Sequence, residues 1–234
     1  MKKHLALAAD LPLPEALAVY EKVAPFVGVA KVGLSLFVEH GPAAVKAFVD
    51  RGARVFLDLK LHDIPNTVEL AATRAGSLGV AYLTVHAAGG KAMLEAAVRG
   101  AERGALAAGH PAPIILAVTV LTSMDDEALR ATGVPNPVVS QVGKLAALAA
   151  EAKVGGIVCS VREVGAVRIV VGPNVVLCTP GIRLPGAAAD DQARVETPQA
   201  AIRAGSTLLV IGRPIYEAKD PAAVAAGILA SISA

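Results

Sequence analysis

The chain has 234 residues, 54% hydrophobic and 18% charged, with a formal net charge of +2. That composition supplies a large core and excludes a disordered chain, and the length suits one α/β domain. So small a charge argues against a nucleic-acid or membrane-surface binder, and 3% aromatic residues without Trp exclude a base-stacking platform.

In chain order, eight short apolar runs have strand character: residues 5–9, 27–32, 55–60, 82–86, 114–118, 156–159, 175–179 and 208–211. The first ends at Asp10, too early for a signal peptide, and no run approaches the roughly 18 apolar residues of a membrane span. A soluble, cytoplasmic protein is expected. Between the runs lie Ala-rich stretches with helical spacing. In 91–106, Met93 and Ala97, and Leu94 and Val98, recur at i, i+4; in 139–152, Val142, Leu145 and Ala149 form one stripe. Eight strand–helix alternations without a linker or composition break predict an α/β fold, a single (β/α)8 TIM barrel over residues 1–234. A doubly wound sheet is the alternative, but no GxGxxG follows the first strand.

A barrel of this kind carries its chemistry at the C-terminal strand ends. The polar residues collect there. Asp10 follows the first run and Lys31 ends the second. Asp58, Lys60 and Asp63 end the third, and His86 the fourth. Thr119, Thr122 and Ser123 follow the fifth, Arg183 the seventh, and Gly212-Arg213 the eighth. This clustering points to an enzyme.

The third run is the most informative. In Phe56-Leu57-Asp58-Leu59-Lys60-Leu61, alternation puts Asp58 and Lys60 on the face opposite the leucines. Lys31, on a strand about 4.8 Å away, can join them in a plus–minus–plus array that Asp63 extends. Such charges at a buried strand end are costly unless paired. A Lys between carboxylates stays protonated and suits a proton donor or an electrostatic clamp. No metal is expected, because the Lys already supplies the countercharge. His62 is read as structural, His86 as a rim residue, and Glu69 as part of a solvated helix face.

Gly212-Arg213 opens the stretch after the last strand. The Gly lets backbone N–H groups approach an anion, and the guanidinium matches phosphate oxygens. Arg183 comes from the neighbouring strand. Two long loops, 119–137 and 181–197, have the length of lids, and Gln192 in the second can close over a ligand. Cys159 and Cys178 sit in apolar runs and are read as small buried hydrophobes.

At these residues the chain resembles the bacterial orotidine 5′-phosphate decarboxylase family over nearly its whole length. The most specific element is Asp58-x-Lys60-x-x-Asp63-Ile-Pro-Asn-Thr67. Supporting it in family order are Lys31-Val32-Gly33, Thr84-Val85-His86-Ala87, Leu121-Thr122-Ser123, Thr179-Pro180-Gly181-Ile182-Arg183, Asp191-Gln192 and Ile211-Gly212-Arg213-Pro214-Ile215. Related phosphosugar decarboxylases share DxKxxD, but usually carry Glu in place of Lys31 and lack the Ile-Pro-Asn-Thr continuation.

The resemblance implies cofactor-free decarboxylation of orotidine 5′-monophosphate. Lys60 would donate the proton to C6, with Asp58, Asp63 and Lys31 completing the charged array. Asp10 and Lys31 would hold the ribose hydroxyls, and Thr122 would contact the pyrimidine. Arg183, Gln192, Gly212 and Arg213 would bind the 5′-phosphate. Asp63 and Thr67 would reach the partner's site in a homodimer. The alternatives are a Mg²⁺-dependent sugar-phosphate decarboxylase or aldolase, and a non-catalytic nucleotide-phosphate binding barrel. The first is separated by EDTA sensitivity. The second would be expected to have lost Lys60 or Asp58.

Overall fold

The computed structural model describes residues 1–184 and 196–233. Its eight strands are β1 (Leu5–Ala8), β2 (Val29–Val32), β3 (Arg54–Leu61), β4 (Tyr82–His86), β5 (Ile114–Val118), β6 (Gly156–Val158), β7 (Val176–Thr179) and β8 (Leu208–Ile211). All neighbours pair in parallel, and β1 closes on β8. The sheet is therefore a closed barrel in chain order, ringed by helices: a TIM barrel. Every expected strand is present, with ends moved by at most two residues.

The two-residue period of each strand divides the core. Ala6, Ala8, Val29, Phe56, Tyr82, Leu116, Cys178, Leu208 and Val210 pack inside the barrel. The alternate residues, among them Leu7, Val32, Leu57, Leu83, Ile157 and Leu209, pack outwards against the helices. Inward parity continues one step further in β2, β3 and β4, to Lys31, Asp58 and Thr84. The sequence pattern that builds the inner core thus also delivers polar side chains to its upper end.

The helices follow the expected spacing. Gly90–Ala108 buries Met93, Leu94 and Ala97, and Val138–Glu151 buries Val142, Leu145 and Ala149. The long stretch after β5 is not all loop. It holds a short helix, Asp126–Ala131, whose first turn is capped by Asp125 accepting from Ala128 N at 2.8 Å. Helices Pro65–Ser77 and Gly90–Ala108 approach so closely that a Cβ on Gly100 or Gly104 would run into the carbonyl of Glu69 or Thr73. At that seam Glu69 binds Arg103 at 2.7 Å and Arg99 at 3.2 Å. Glu69 therefore belongs to a helix–helix ion triad and not to a solvated face; it comes within reach of both arginines because glycines remove the side chains between.

Candidate active site

Three strand ends supply a chain of alternating charges. Lys31 Nζ lies 3.1 Å from Asp10 Oδ1 and 3.7 Å from Asp58 Oδ2. Lys60 Nζ donates to Asp58 Oδ1 and Oδ2 at 2.9 and 2.8 Å. The Lys31 and Asp58 side chains are only 10% and 12% exposed, that of Lys60 31%. The expected plus–minus–plus array is present, extended at the Lys31 end by Asp10. Gly33 makes room for it, since a Cβ there would stand 2.9 Å from both Asp10 Oδ1 and Lys31 Nζ.

Simple pleating does not set this geometry. Leu57 pairs with Leu83, but Leu61 pairs with Val85, so β3 carries two extra residues over that interval. Within this bulge Lys60 has φ of 49°, a left-handed conformation that costs a non-glycine residue roughly 1–2 kcal/mol. Its amide donates to Thr84 Oγ1 at 2.9 Å, and the same hydroxyl donates to Asp58 Oδ1 at 2.8 Å.

The electrostatics follow from these contacts. Burial alone would raise the Asp58 pKa. The Lys31 and Lys60 charges, with hydrogen bonds from Lys60 and Thr84, outweigh it and hold Asp58 below its ordinary value. His86 is lowered first by burial, then by the nearby His62 and Lys60 charges, with Asp58 opposing. The His62 and His86 rings lie 5.4 Å apart. Burial pushes the Cys178 thiol well up, with Asp58 and Cys159 adding to it, so Cys178 is a neutral thiol.

Two cavities meet at the array. One, of about 240 Å³, has apolar walls from Phe56, Val158 and Val210, with Lys31, Asp58, Lys60, Thr122 and Ser123 among its polar lining. The other, of about 170 Å³, is lined by Asp10, Gly181, Arg183, Gly212, Arg213 and Tyr216. Lys31, Pro180 and Val210 belong to both. An apolar slot with a charged wall thus opens beside a smaller, guanidinium-bearing one.

Residues 3–228 match the sequence model of the orotidine 5′-phosphate decarboxylase / HUMPS family. The chain belongs to that family. It is 53% identical over 231 residues to the orotidine 5′-phosphate decarboxylase of Anaeromyxobacter sp. (strain K), covering 98% of each. It is 50% identical to that of Moorella thermoacetica, covering 99% of this chain and 92% of the relative. The crystal structure of orotidine 5′-phosphate decarboxylase from Lactobacillus acidophilus superposes with a TM-score of 0.88 at 36% identity, each chain fully covered.

In this family member the structure gathers Asp10, Lys31, Asp58 and Lys60 in one array, Thr122 beside it, and Arg183, Gly212 and Arg213 around the second cavity. Arg183 is almost fully buried and donates to Ile182 O at 3.1 Å. Asp63 and Thr67 stand apart. Both are exposed, and Asp63 Oδ1 accepts from Ile64 N at 2.7 Å, with no ion pair to this chain's array among the described residues. The expected extension of the array by Asp63 therefore does not occur within one chain, because the backbone leaves the barrel at His62. Gln192 lies outside the described residues.

Three features escaped the sequence reading. Thr84 shares inward parity with Tyr82, a signal present in the sequence but unused. Cys159 and Cys178 are buried thiols as expected, yet both line the first cavity. Tyr216 lines the second; its phenol pKa is raised by burial and by Asp10 and Glu217, against Arg213 and Arg183.

Proposed function

We propose that this chain decarboxylates orotidine 5′-monophosphate to uridine 5′-monophosphate as a carboxy-lyase of pyrimidine biosynthesis. The observation that carries the reading is the Lys31–Asp58–Lys60 array on the wall of an apolar cavity that opens into an arginine-bearing one. The first suits a pyrimidine ring, the second its 5′-phosphate.

Loss of CO2 from C6 leaves an electron pair localised in the ring plane. In this reading the Lys60 ammonium stabilises that charge as it develops and then transfers a proton to C6. The resulting neutral amine regains its proton from solvent. Asp58, kept ionised, lies beside the departing carboxylate and holds Lys60 in aim. No metal or organic cofactor is called on, because Lys60 stands where a cation is needed. Arg183, Gly212 and Arg213, with Gln192, bind the phosphate. Asp10 and Lys31 hold the ribose hydroxyls, and Thr122 meets the ring. Binding energy from the remote phosphate is then used at the reacting carbon.

Asp63 and Thr67 are assigned to the partner's site in a homodimer. Their exposure supports this, as do two exposed apolar side chains close to them in sequence, Ile64 at 66% and Leu70 at 57%. A cytoplasmic location accompanies the reading. Among the described residues no helix is long and apolar enough to cross a membrane.

The deciding assay follows loss of the orotate ultraviolet band in EDTA, for wild type and Lys60→Ala. Conversion to uridine 5′-monophosphate by wild type alone is expected. A folded wild type that converts nothing would overturn the substrate assignment, and a sugar phosphate with Mg²⁺ would then be tried. Retention of both Lys60 and Asp58 argues against a purely binding barrel.

A further inference from the structure

The hydroxyl of Thr84 joins the two parts of β3 that the reaction needs held still. It accepts the Lys60 amide at 2.9 Å and donates to Asp58 Oδ1 at 2.8 Å. A hydroxyl has one proton, and here it goes to the carboxylate, because the Lys60 N–H can only donate and the carboxylate can only accept. The two lysines beside Asp58 favour its ionised form, which can only accept and so fixes that direction. Thr84 is only 1% exposed, so although it borders the cavity it has almost no surface to offer a ligand. Its β-branched side chain, fixed on an inward position of β4, has little rotamer freedom.

The alignment of the strands explains why a side chain is needed. Where β3 carries its two extra residues, the β4 backbone falls out of step with it. Lys60 sits there with φ of 49°, and its amide is met by a side chain in place of a ladder carbonyl. Without that acceptor the left-handed turn loses the bond that holds it, and the ammonium that it aims loses its fixed origin.

We propose that Thr84 is a positioning residue, whose single hydroxyl pins the bulged backbone of Lys60 and the carboxylate of Asp58 together before substrate arrives. The proposal deepens the decarboxylase reading and rests on it for its kinetic test only.

The test compares Thr84→Val, which keeps the shape and removes both bonds, with Thr84→Ser, which keeps the hydroxyl. Steady-state kinetics on orotidine 5′-monophosphate are run alongside hydrogen exchange at the Lys60 amide, which needs no activity. For Thr84→Val, kcat is expected to fall by about a hundredfold, the scale of a small misplacement of a reacting group, with KM changed less than about threefold. Its Lys60 amide should exchange faster. Thr84→Ser should restore both. A folded Thr84→Val with kcat within about threefold of wild type would overturn the proposal, as would a loss confined to KM, equal losses in both variants, or unchanged Lys60 exchange. If Thr84→Val does not fold, Thr84→Cys, whose thiol is a weak donor and acceptor, is read against Thr84→Ser by the same criteria. A wild type without decarboxylase activity would sink the functional reading, while Lys60 exchange would still decide the positioning role.

Discussion

Lys60 Nζ reaches both carboxylate oxygens of Asp58, at 2.9 and 2.8 Å, from only two residues along the same strand. In a regular strand such residues share a face but stand almost 7 Å apart along the chain. The long lysine side chain bridges the gap, and with its backbone held in the bulge the ammonium is anchored at both oxygens of its neighbour. From this pair the first expectations follow.

Lys60→Ala should reduce turnover by at least about a thousandfold, since it removes both the electrostatic stabiliser and the proton donor. Binding of uridine 5′-monophosphate, measured by calorimetry, should survive. Loss of ligand binding in a folded variant would count against a purely catalytic role.

Asp58 gives the protein an acid-sensitive element. Its folded pKa is depressed, so its stabilisation is fully present above the unfolded carboxylate value of about 3.9. It declines as the pH falls through the lower folded value. Asp58→Asn should flatten the acid side of a urea-unfolding series. It should also cost about 3–5 kcal/mol at neutral pH, because Lys31 and Lys60 lose the charge between them. Parallel acid limbs in the two proteins would contradict this.

Arg213→Ala tests the second cavity. Affinity for a nucleoside monophosphate should fall by about tenfold to a hundredfold, the worth of a charge-assisted hydrogen bond. Affinity for the corresponding nucleoside should barely change. Equal losses for the two ligands would remove the phosphate assignment.

Gly33→Ala separates folding from function. The new methyl would press on the side-chain ends of Asp10 and Lys31 and on no backbone, and Gly33 has φ of −91°, which Ala adopts freely. Stability should change by less than about 1 kcal/mol. Substrate affinity should weaken, since the pair assigned to the ribose must part. Thermal unfolding and KM measured together check this.

Mixing Lys60→Ala with Asp63→Ala addresses the dimer. If Asp63 serves the partner's site, a mixed dimer holds one intact site built from the unmutated Lys60 of one chain and Asp63 of the other. Activity should therefore appear on mixing two inactive proteins after subunit exchange. Persistent inactivity in a demonstrated mixed dimer would place Asp63 outside a shared site.

By itself the sequence determined the eight strands, their alternation with helices, and the polar residues at the strand ends. Those features are local: a two-residue period sorts each strand into inward and outward sets, and Gly, Pro and charge punctuate the runs. Inward parity carried Lys31 and Asp58 to the barrel's upper end, and the DxKxxD stretch was legible for the same reason. The tertiary structure decided the rest. It inserted the bulge at Lys60, brought Asp10 to Lys31, turned Thr84 into the link between Lys60 and Asp58, and put Cys178 and Tyr216 on the cavity walls. It also left Asp63 outside the array of its own chain. These relationships depend on how one strand is staggered against the next and on where the chain leaves the barrel. Strand stagger is fixed by packing across the closed sheet, which no local pattern of side chains encodes.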